Sequence, residues 1–259
     1  MSVLDRFRQD GRRLFISGGS RGLGREMALA LADVGADVVL TGRDRGSLEA
    51  TAAAIRLLGR QAFPIVADMS DPAACERACH EALATGPVHI LINNVGDRRV
   101  SIPIEETPLE MWQQMMDLNL TCCFICTKVI GGAMIARGGG GRIINISSMS
   151  ALIANRGIAG RHYETAKAAM LHFTRCTAAD WAPHGITVNA ICPGLFMTEP
   201  NRQWAETRPD VIKTITDATP LGRCGEPEEL GPLAVYLASD ASAFATGAAF
   251  VIDGGYTLW

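Results

Sequence analysis

LFISGGSRGLG, residues 14–24, runs from an apolar stretch through a glycine-rich turn into a helical pattern. Gly18, Gly22 and Gly24 let the chain turn tightly, bring backbone close to a ligand and pack the next helix against the strand. Backbone N–H groups and the positive end of that helix favour phosphate. Glycine suits any strand–helix joint, so the triplet by itself is a weak sign. Its place at the opening of the first strand–helix–strand unit is what points to a dinucleotide. The spacing, three residues between the first two glycines instead of one, sets it apart from GxGxxG.

Outward from this turn, strand-like runs cover 14–17, 37–41, 61–66, 90–93, 142–147, 187–191 and 250–252. Helical patterns lie between them at 22–34, 45–58, 71–85, 108–137, 163–181 and 227–237. Runs such as VVL and RIINI are apolar on successive residues, as expected where both sheet faces are covered. The alternation gives an α/β protein with a parallel, doubly wound sheet of seven strands flanked by helices. Gly35 stops the first helix, Asp71-Pro72 gives an N-cap followed by proline, and GGGG at 138–141 closes the fourth helix. No linker, repeat or low-complexity tract divides residues 1–259, which read as a single domain. The one long interruption, 193–220, mixes prolines with polar and aromatic residues beyond the carboxyl end of the sixth strand. Open α/β sheets bind ligands there, so the segment reads as an irregular, mobile lid.

The chain is 48% hydrophobic and 20% charged, with a net charge of −3. With no basic run, neither nucleic acid nor a membrane surface is an expected partner. No uninterrupted apolar stretch reaches membrane-spanning length. The opening residues, MSVLDRFRQDGRR, are charged and lack the apolar core of a secretory signal. Eight cysteines in that setting read as reduced thiols of a cytoplasmic protein. The densest group, Cys122, Cys123 and Cys126, has no histidine or CxxC pair to complete a metal set, so no metal is expected. These are expected to be buried helical thiols near a subunit contact.

In RHYETAKAAM, residues 161–170, Tyr163 and Lys167 are four residues apart and share one helix face. A cation beside a phenol favours its ionised form. Such pairs are also ordinary surface decoration, so the rest of the chain decides. Gly18-x-x-x-Gly22-x-Gly24, Asn93-Asn94-Val95-Gly96, Asn119, Ser148, Tyr163-x-x-x-Lys167 and Pro193-Gly194 follow in this order. The set resembles the short-chain dehydrogenase/reductase family, from the first strand to the closing VIDGG. Ser17 for a common threonine and Val95 for alanine are small departures that remove no reacting group.

The resemblance implies a Rossmann-type domain in which Tyr163 is the general acid in carbonyl reduction and the general base in alcohol oxidation. Lys167 would hold the nicotinamide ribose and favour the phenolate, with the oxidised nicotinamide adding positive charge. Ser148 would hydrogen-bond the substrate oxygen, and Asn119 would anchor a relay water behind Lys167. Hydride transfer to a carbonyl builds alkoxide charge that positioned donors stabilise. Ser148 directly follows the strand RIINIS, 15 residues before Tyr163; the commoner interval of 13 selects Ser150, which stays as the alternative. The resemblance also implies a cofactor site that begins with Gly18, Ser20, Arg21, Gly22, Leu23 and Gly24. Arg43, Asp68 and Met69 would lie by the adenosine, Asn94 and Gly96 after the fourth strand, and Pro193, Gly194 and Thr198 after the sixth. Tyr163 and Lys167 complete it. Asn94 and Asp68 read equally well as turn and capping residues.

NAD-preferring members of that family carry an acid at the position of Gly42. Here Arg43 follows Gly42, and Arg21 sits in the glycine turn, so NADP(H) is expected. NAD(H) is the alternative if Asp44 swings in to the ribose. Around the substrate, Asp97-Arg98-Arg99, His162 and Trp204 are candidates, with Arg98 able to grip a carboxylate or phosphate. NNVGDRR and FMTEPNRQW resemble gluconate 5-dehydrogenase-like and polyol dehydrogenase members, which implies a keto-sugar, sugar acid, polyol or cyclic ketone as substrate. A 3-oxoacyl thioester is the runner-up. A non-catalytic NADP(H)-binding redox sensor would not need Tyr163 and Lys167 together, so an enzyme is expected. The apolar excess of 108–137, 163–181 and AAFVIDGGYTLW suggests a homo-oligomer, and the resemblance implies a homotetramer.

Overall fold

A computed structural model describes residues 2–98, 101–155 and 159–258. Its strands are β1 (Arg13–Ile16), β2 (Asp37–Gly42), β3 (Ala62–Val66), β4 (Ile90–Asn93), β5 (Gly141–Ile146), β6 (Ile186–Pro193) and β7 (Ala249–Ile252). All pair in parallel, in the order β3-β2-β1-β4-β5-β6-β7. This is the expected seven-stranded Rossmann-like sheet. The helices that flank it are α1 (Gly22–Asp33), α2 (Arg45–Leu57), α3 (Pro72–Ala84), α4 (Leu109–Arg137) and α5 (Arg161–Trp181). Then come α6 (Glu199–Thr207), α7 (Pro209–Ala218) and α8 (Gly231–Ala238).

Successive strand side chains point to opposite faces, which divides the apolar runs between two cores. Leu14, Ile16, Val38, Leu40, Ile90 and Ile92 pack with Met27 and Leu31 of α1, Leu48 of α2 and Leu237 of α8. Phe15, Val39, Leu91 and Ile143 face the other way, onto Cys75 and Cys79 of α3 and Cys126, Ile130 and Met134 of α4. Helix ends follow local chemistry. Asp71 caps α3 by accepting from Ala73 N at 2.9 Å, with Pro72 in the first turn. At the end of α1, Gly35 has φ +115°, its N–H reaches Ala32 O and that of Ala36 reaches Leu31 O, a Schellman closure.

One expectation is revised. The lid is helical: Pro200 and Pro209 fall in the first turns of α6 and α7, where proline's missing N–H is tolerated. Helix α4 has the length and apolar content to cross a membrane, yet its inward side chains belong to the second core. Two π turns, Asp117–Thr121 and Thr127–Gly131, interrupt its regular winding.

The tightest approach in the fold is at the opening turn. A Cβ on Gly24 would lie 2.1 Å from Gly18 O and 2.5 Å from Asn94 Nδ2. We expect Gly24→Ala to lower stability by about 1–3 kcal/mol in urea unfolding. Gly46→Ala, whose nearest neighbour would be Asp44 Oδ1 at 3.5 Å, should stay within about 1 kcal/mol of wild type. Equal effects of the two would contradict the close approach.

Candidate active site

Strand order turns back between β1 and β4, and the crevice beyond the carboxyl ends of such a pair is where doubly wound sheets bind ligands. The loops leaving these two strands are tied together. Ser17 Oγ accepts from Asn94 N at 3.0 Å and Val95 N at 3.2 Å, while Asn94 Nδ2 donates to Ser17 O and Gly18 O, each at 3.0 Å. Asn94 therefore pins the glycine turn, as a structural residue facing the cofactor side. The turn ends in Gly22, Leu23 and Gly24, whose N–H groups a helix start leaves free. Thr198 arrives over it from beyond β6, with Cγ2 3.3 Å from where a Cβ of Gly22 would stand. Pro193 ends β6, and Gly194 N donates to Ile252 O at 2.9 Å, next to Asp253.

At the end of β2, Ser20 occupies the space beside Gly42: a Cβ on Gly42 would come 2.9 Å from Ser20 Oγ. Arg21 and Arg43 are exposed, and their side chains form no hydrogen bond or ion pair among the described residues. Asp44 caps α2, accepting from Ser47 N at 2.7 Å and from the Ser47 hydroxyl. The Ser47 hydrogen bonds, with the charge of Arg21 as a smaller contribution, hold its carboxyl below the usual range. Asp68 accepts from Ser70 N at 3.0 Å and Ser70 Oγ at 2.7 Å, a turn role. Met69 buries its side chain in the second core.

Beyond β4 and β5 the remaining candidates converge. Lys167, 2% exposed, donates from Nζ to Ile146 O at 2.8 Å and lies 5.7 Å from the Tyr163 ring centre. Asn119 sits in the first π turn of α4, where its Oδ1 accepts from Asp97 N at 2.9 Å. Its Nδ2 donates to Asp97 O and Met115 O, each at 3.0 Å. The two side chains meet at Gly96: a Cβ there would lie 2.6 Å from Lys167 Nζ and 2.8 Å from Asn119 Oδ1. Side chains at Gly24 and Gly96 would collide with these neighbours, so both positions require glycine, and the free N–H groups of the turn at the start of α1 fit the phosphates of a dinucleotide.

The two serines differ in their partners. Ser148 Oγ accepts from Ser150 N at 3.0 Å. Ser150 Oγ accepts from Asn155 Nδ2 at 2.9 Å and Arg98 Nη2 at 3.3 Å, so it belongs to the framework. Arg98 is brought to Tyr163, its guanidinium 4.7 Å from the ring centre. It is not a free grip, however: it also donates to Ala159 O at 3.2 Å and stands 3.7 Å from Glu164. Arg99 lies outside the described residues. His162 is buried instead of lining the lip, with Nε2 3.4 Å from Arg98 O. Neighbouring helix residues point about 100° apart, so Tyr163 and His162 cannot both face the site. Trp204 is half-buried on α6.

Sequence reasoning missed Asn155 and Glu164. Glu164 accepts from Asn155 Nδ2 at 2.9 Å and from Arg161. Burial opposes its charge, yet the hydrogen bonds from Arg161 and Asn155 hold its carboxyl below the usual range. The only available signal was a carboxylate directly after the tyrosine. The cysteine grouping also changes. Cys122, Cys123 and Cys126 are buried as expected, and Cys126 faces Cys75 and Cys79 of α3. A pocket at the base of the lid, lined by Phe196, Ile215, Thr219, Cys224 and Tyr256, contains none of the residues that converge on Gly96.

The family model described as "Enoyl-(Acyl carrier protein) reductase" matches residues 18–257. The chain is 41% identical over 253 residues to the galactitol 2-dehydrogenase (L-tagatose-forming) of Cereibacter sphaeroides, covering 98% of each. It is 36% identical to the gluconate 5-dehydrogenase of Gluconobacter oxydans over 259 residues, covering 100% of this chain and 99% of that relative. A solved gluconate 5-dehydrogenase from Burkholderia cenocepacia J2315, in complex with NADP and tartrate, matches at TM-score 0.91 and 37% identity over 100% of both chains. The chain belongs to the short-chain dehydrogenase/reductase family. It is an NAD(P)-dependent oxidoreductase acting on CH–OH groups.

The partners of the serines lead to a prediction. Ser148→Ala should lower kcat at least about tenfold more than Ser150→Ala, whose effect should appear in stability. The reverse order in steady-state kinetics would move the substrate-facing hydroxyl to Ser150.

Proposed function

We propose that this enzyme interconverts a secondary alcohol and a ketone on a polyol, keto-sugar or sugar acid, with NADP(H) preferred to NAD(H). The observation that carries the reading is the convergence of Lys167 and Asn119 on Gly96, one turn of α5 from Tyr163. When bound, the nicotinamide supplies or accepts the hydride. Tyr163 gives its phenolic proton to the oxygen that gains charge during reduction and takes it back during oxidation. Ser148 donates a hydrogen bond from its hydroxyl to that same oxygen and keeps its proton. An ammonium has three N–H donors; Ile146 O takes one from Lys167, and the others suit the ribose hydroxyls. Both N–H donors of Asn119 are engaged, so the remaining lone pair of Oδ1 is what it offers a relay water. Lid closure by α6 and α7 would shield the site from water.

The substrate class rests on relatives named for galactitol and gluconate. A 3-oxoacyl thioester is the second reading, favoured by the acyl-carrier-protein wording of the matching family description. NADPH oxidation against keto-sugars, keto-sugar acids, simple diketones and a 3-oxoacyl thioester tests both. Turnover confined to the thioester would overturn the first reading. Eight free thiols support a reducing, cytoplasmic setting.

Tyr163→Phe keeps the ring and removes only the proton, so turnover should vanish with cofactor affinity nearly unchanged. Retention of more than about 5% of wild-type kcat would contradict the acid/base role.

The cofactor preference rests on exposed Arg21 and Arg43 beside a Gly42 whose flank Ser20 fills, while Asp44 is engaged as a cap. Arg43→Leu should reduce the NADPH-over-NADH ratio of kcat/KM by about ten- to a hundred-fold. An unchanged ratio, or a wild type that prefers NADH, would refute this.

Exposed Leu109, Phe124, Phe244 and Leu258 support a homotetramer. Light scattering at micromolar concentration should therefore give four times the 27.6 kDa chain mass. A monomer alone would exclude it.

A further inference from the structure

Helices α3 and α4 bring together sulfurs that lie far apart in the chain. Cys75 and Cys79, one turn apart on α3, face Cys126 of α4. Cys126 Sγ is 3.6 Å from Cys75 Sγ and 3.6 Å from Cys79 Sγ, and all three sulfurs lie within 4.8 Å of one another. None of these residues is more than 1% exposed. Phe15, Val39, Ile65, Met69 and Leu91 make the surroundings apolar. The hydride-transfer site uses none of the three.

We propose that Cys75, Cys79 and Cys126 form a trap for a trivalent thiophilic metalloid hydroxide, such as arsenite. Two constraints select this ligand class. The first is size and number. Bonds of about 2.3 Å from one centre to three sulfurs, a typical metal–thiolate length, hold the sulfurs between about 3.3 Å in a right-angled pyramid and about 4 Å in a plane. Two edges of the native triangle, at 3.6 Å, fall inside that range, and the third, between Cys75 and Cys79, is within 4.8 Å. Structural zinc takes four ligands, and among the described residues no histidine or carboxylate joins the three sulfurs. Cys122, one turn back on α4, donates to Leu118 O at 2.9 Å instead.

The second constraint is charge. Three thiolates around a monovalent or divalent cation leave net negative charge in an apolar core, which is strongly unfavourable. Trivalent arsenic avoids this. Each of its three hydroxyls leaves as water with the proton of one thiol, three As–O and three S–H bonds break, and three As–S bonds and three waters form. No electron is transferred, and the product is neutral. Entry requires local opening of α3 against α4.

The working protein is the full-length Cys176→Ser/Cys224→Ser variant, which lacks the exposed and half-buried thiols. Reduced and oxygen-free, it is treated with arsenite and desalted. Native mass spectrometry should find one arsenic per chain, and X-ray absorption should find three sulfur neighbours and no oxygen. Adding Cys126→Ala should cut retained arsenic at least tenfold. The proposal is overturned if the folded protein retains no arsenic, if two or fewer sulfurs surround it, or if Cys126→Ala retains as much. It is also overturned if zinc or monovalent copper binds one equivalent and blocks arsenite, since the cluster would then be a cation site. Should Cys126→Ala fail to fold, the sulfur count in the parent protein decides.

Discussion

An ammonium enclosed at the carboxyl end of the sheet is the constraint around which the rest of the site is arranged. Lys167 is 2% exposed, and among the described residues it makes no salt bridge with a carboxylate. A buried charge without partners is strongly unfavourable, so each neighbour must supply an acceptor or leave room for one. Ile146 O accepts directly at 2.8 Å. Ser147 Oγ donates to Lys167 O at 2.9 Å and fixes α5 against the end of β5. Gly96 withholds a side chain that would collide with the ammonium. In the proposed function, the donors left over are what Lys167 offers to the ribose hydroxyls of the cofactor.

The crevice exists because of strand order. With β1 and β4 adjacent and the chain winding away on both sides, the two loops that follow them meet. Ser17 and Asn94 turn that meeting into fixed geometry through hydrogen bonds between the loops. The glycine turn is then held from behind by Asn94, and its free N–H groups face outward. Phosphate binding at this edge is thus a result of topology as much as of glycine content.

Below the site, polar groups are buried and mutually bonded. Asn93 Nδ2 reaches Asn145 Oδ1 at 2.8 Å and Thr127 Oγ1 at 3.0 Å, and Asn145 Nδ2 reaches Thr174 Oγ1 at 2.9 Å. This chain joins β4, β5, α4 and α5, the four elements that carry the converging residues. Buried networks of this kind gain strength in a low-dielectric interior and specify one arrangement. The π turn at Asn119 serves the same end, because the widened winding brings its amide onto the Asp97 backbone. Arg98, tied to Ser150, Ala159 and Glu164, holds the loop after β4 against the start of α5.

What the sequence determined by itself was everything set by local periodicity and steric need. Apolar runs such as RIINI marked strands covered on both faces, and Asp71-Pro72 and Gly35 marked helix ends. The four-residue interval placed Tyr163 and Lys167 on one side of a helix. These signals depend on a few neighbouring residues, so they survive without knowledge of the fold. The prolines of the lid read locally as helix breakers, yet Pro200 and Pro209 stand where proline begins a helix. Only tertiary structure decided that Ser150 is held by Arg98 and Asn155, that His162 turns inward, and that Cys126 meets Cys75 and Cys79 instead of its neighbours in sequence. Which side chains face each other across α3 and α4, or across the loops after β4 and β5, follows from sheet order and helix rotation. Both are set by how the whole core packs, and no short stretch of sequence contains that information.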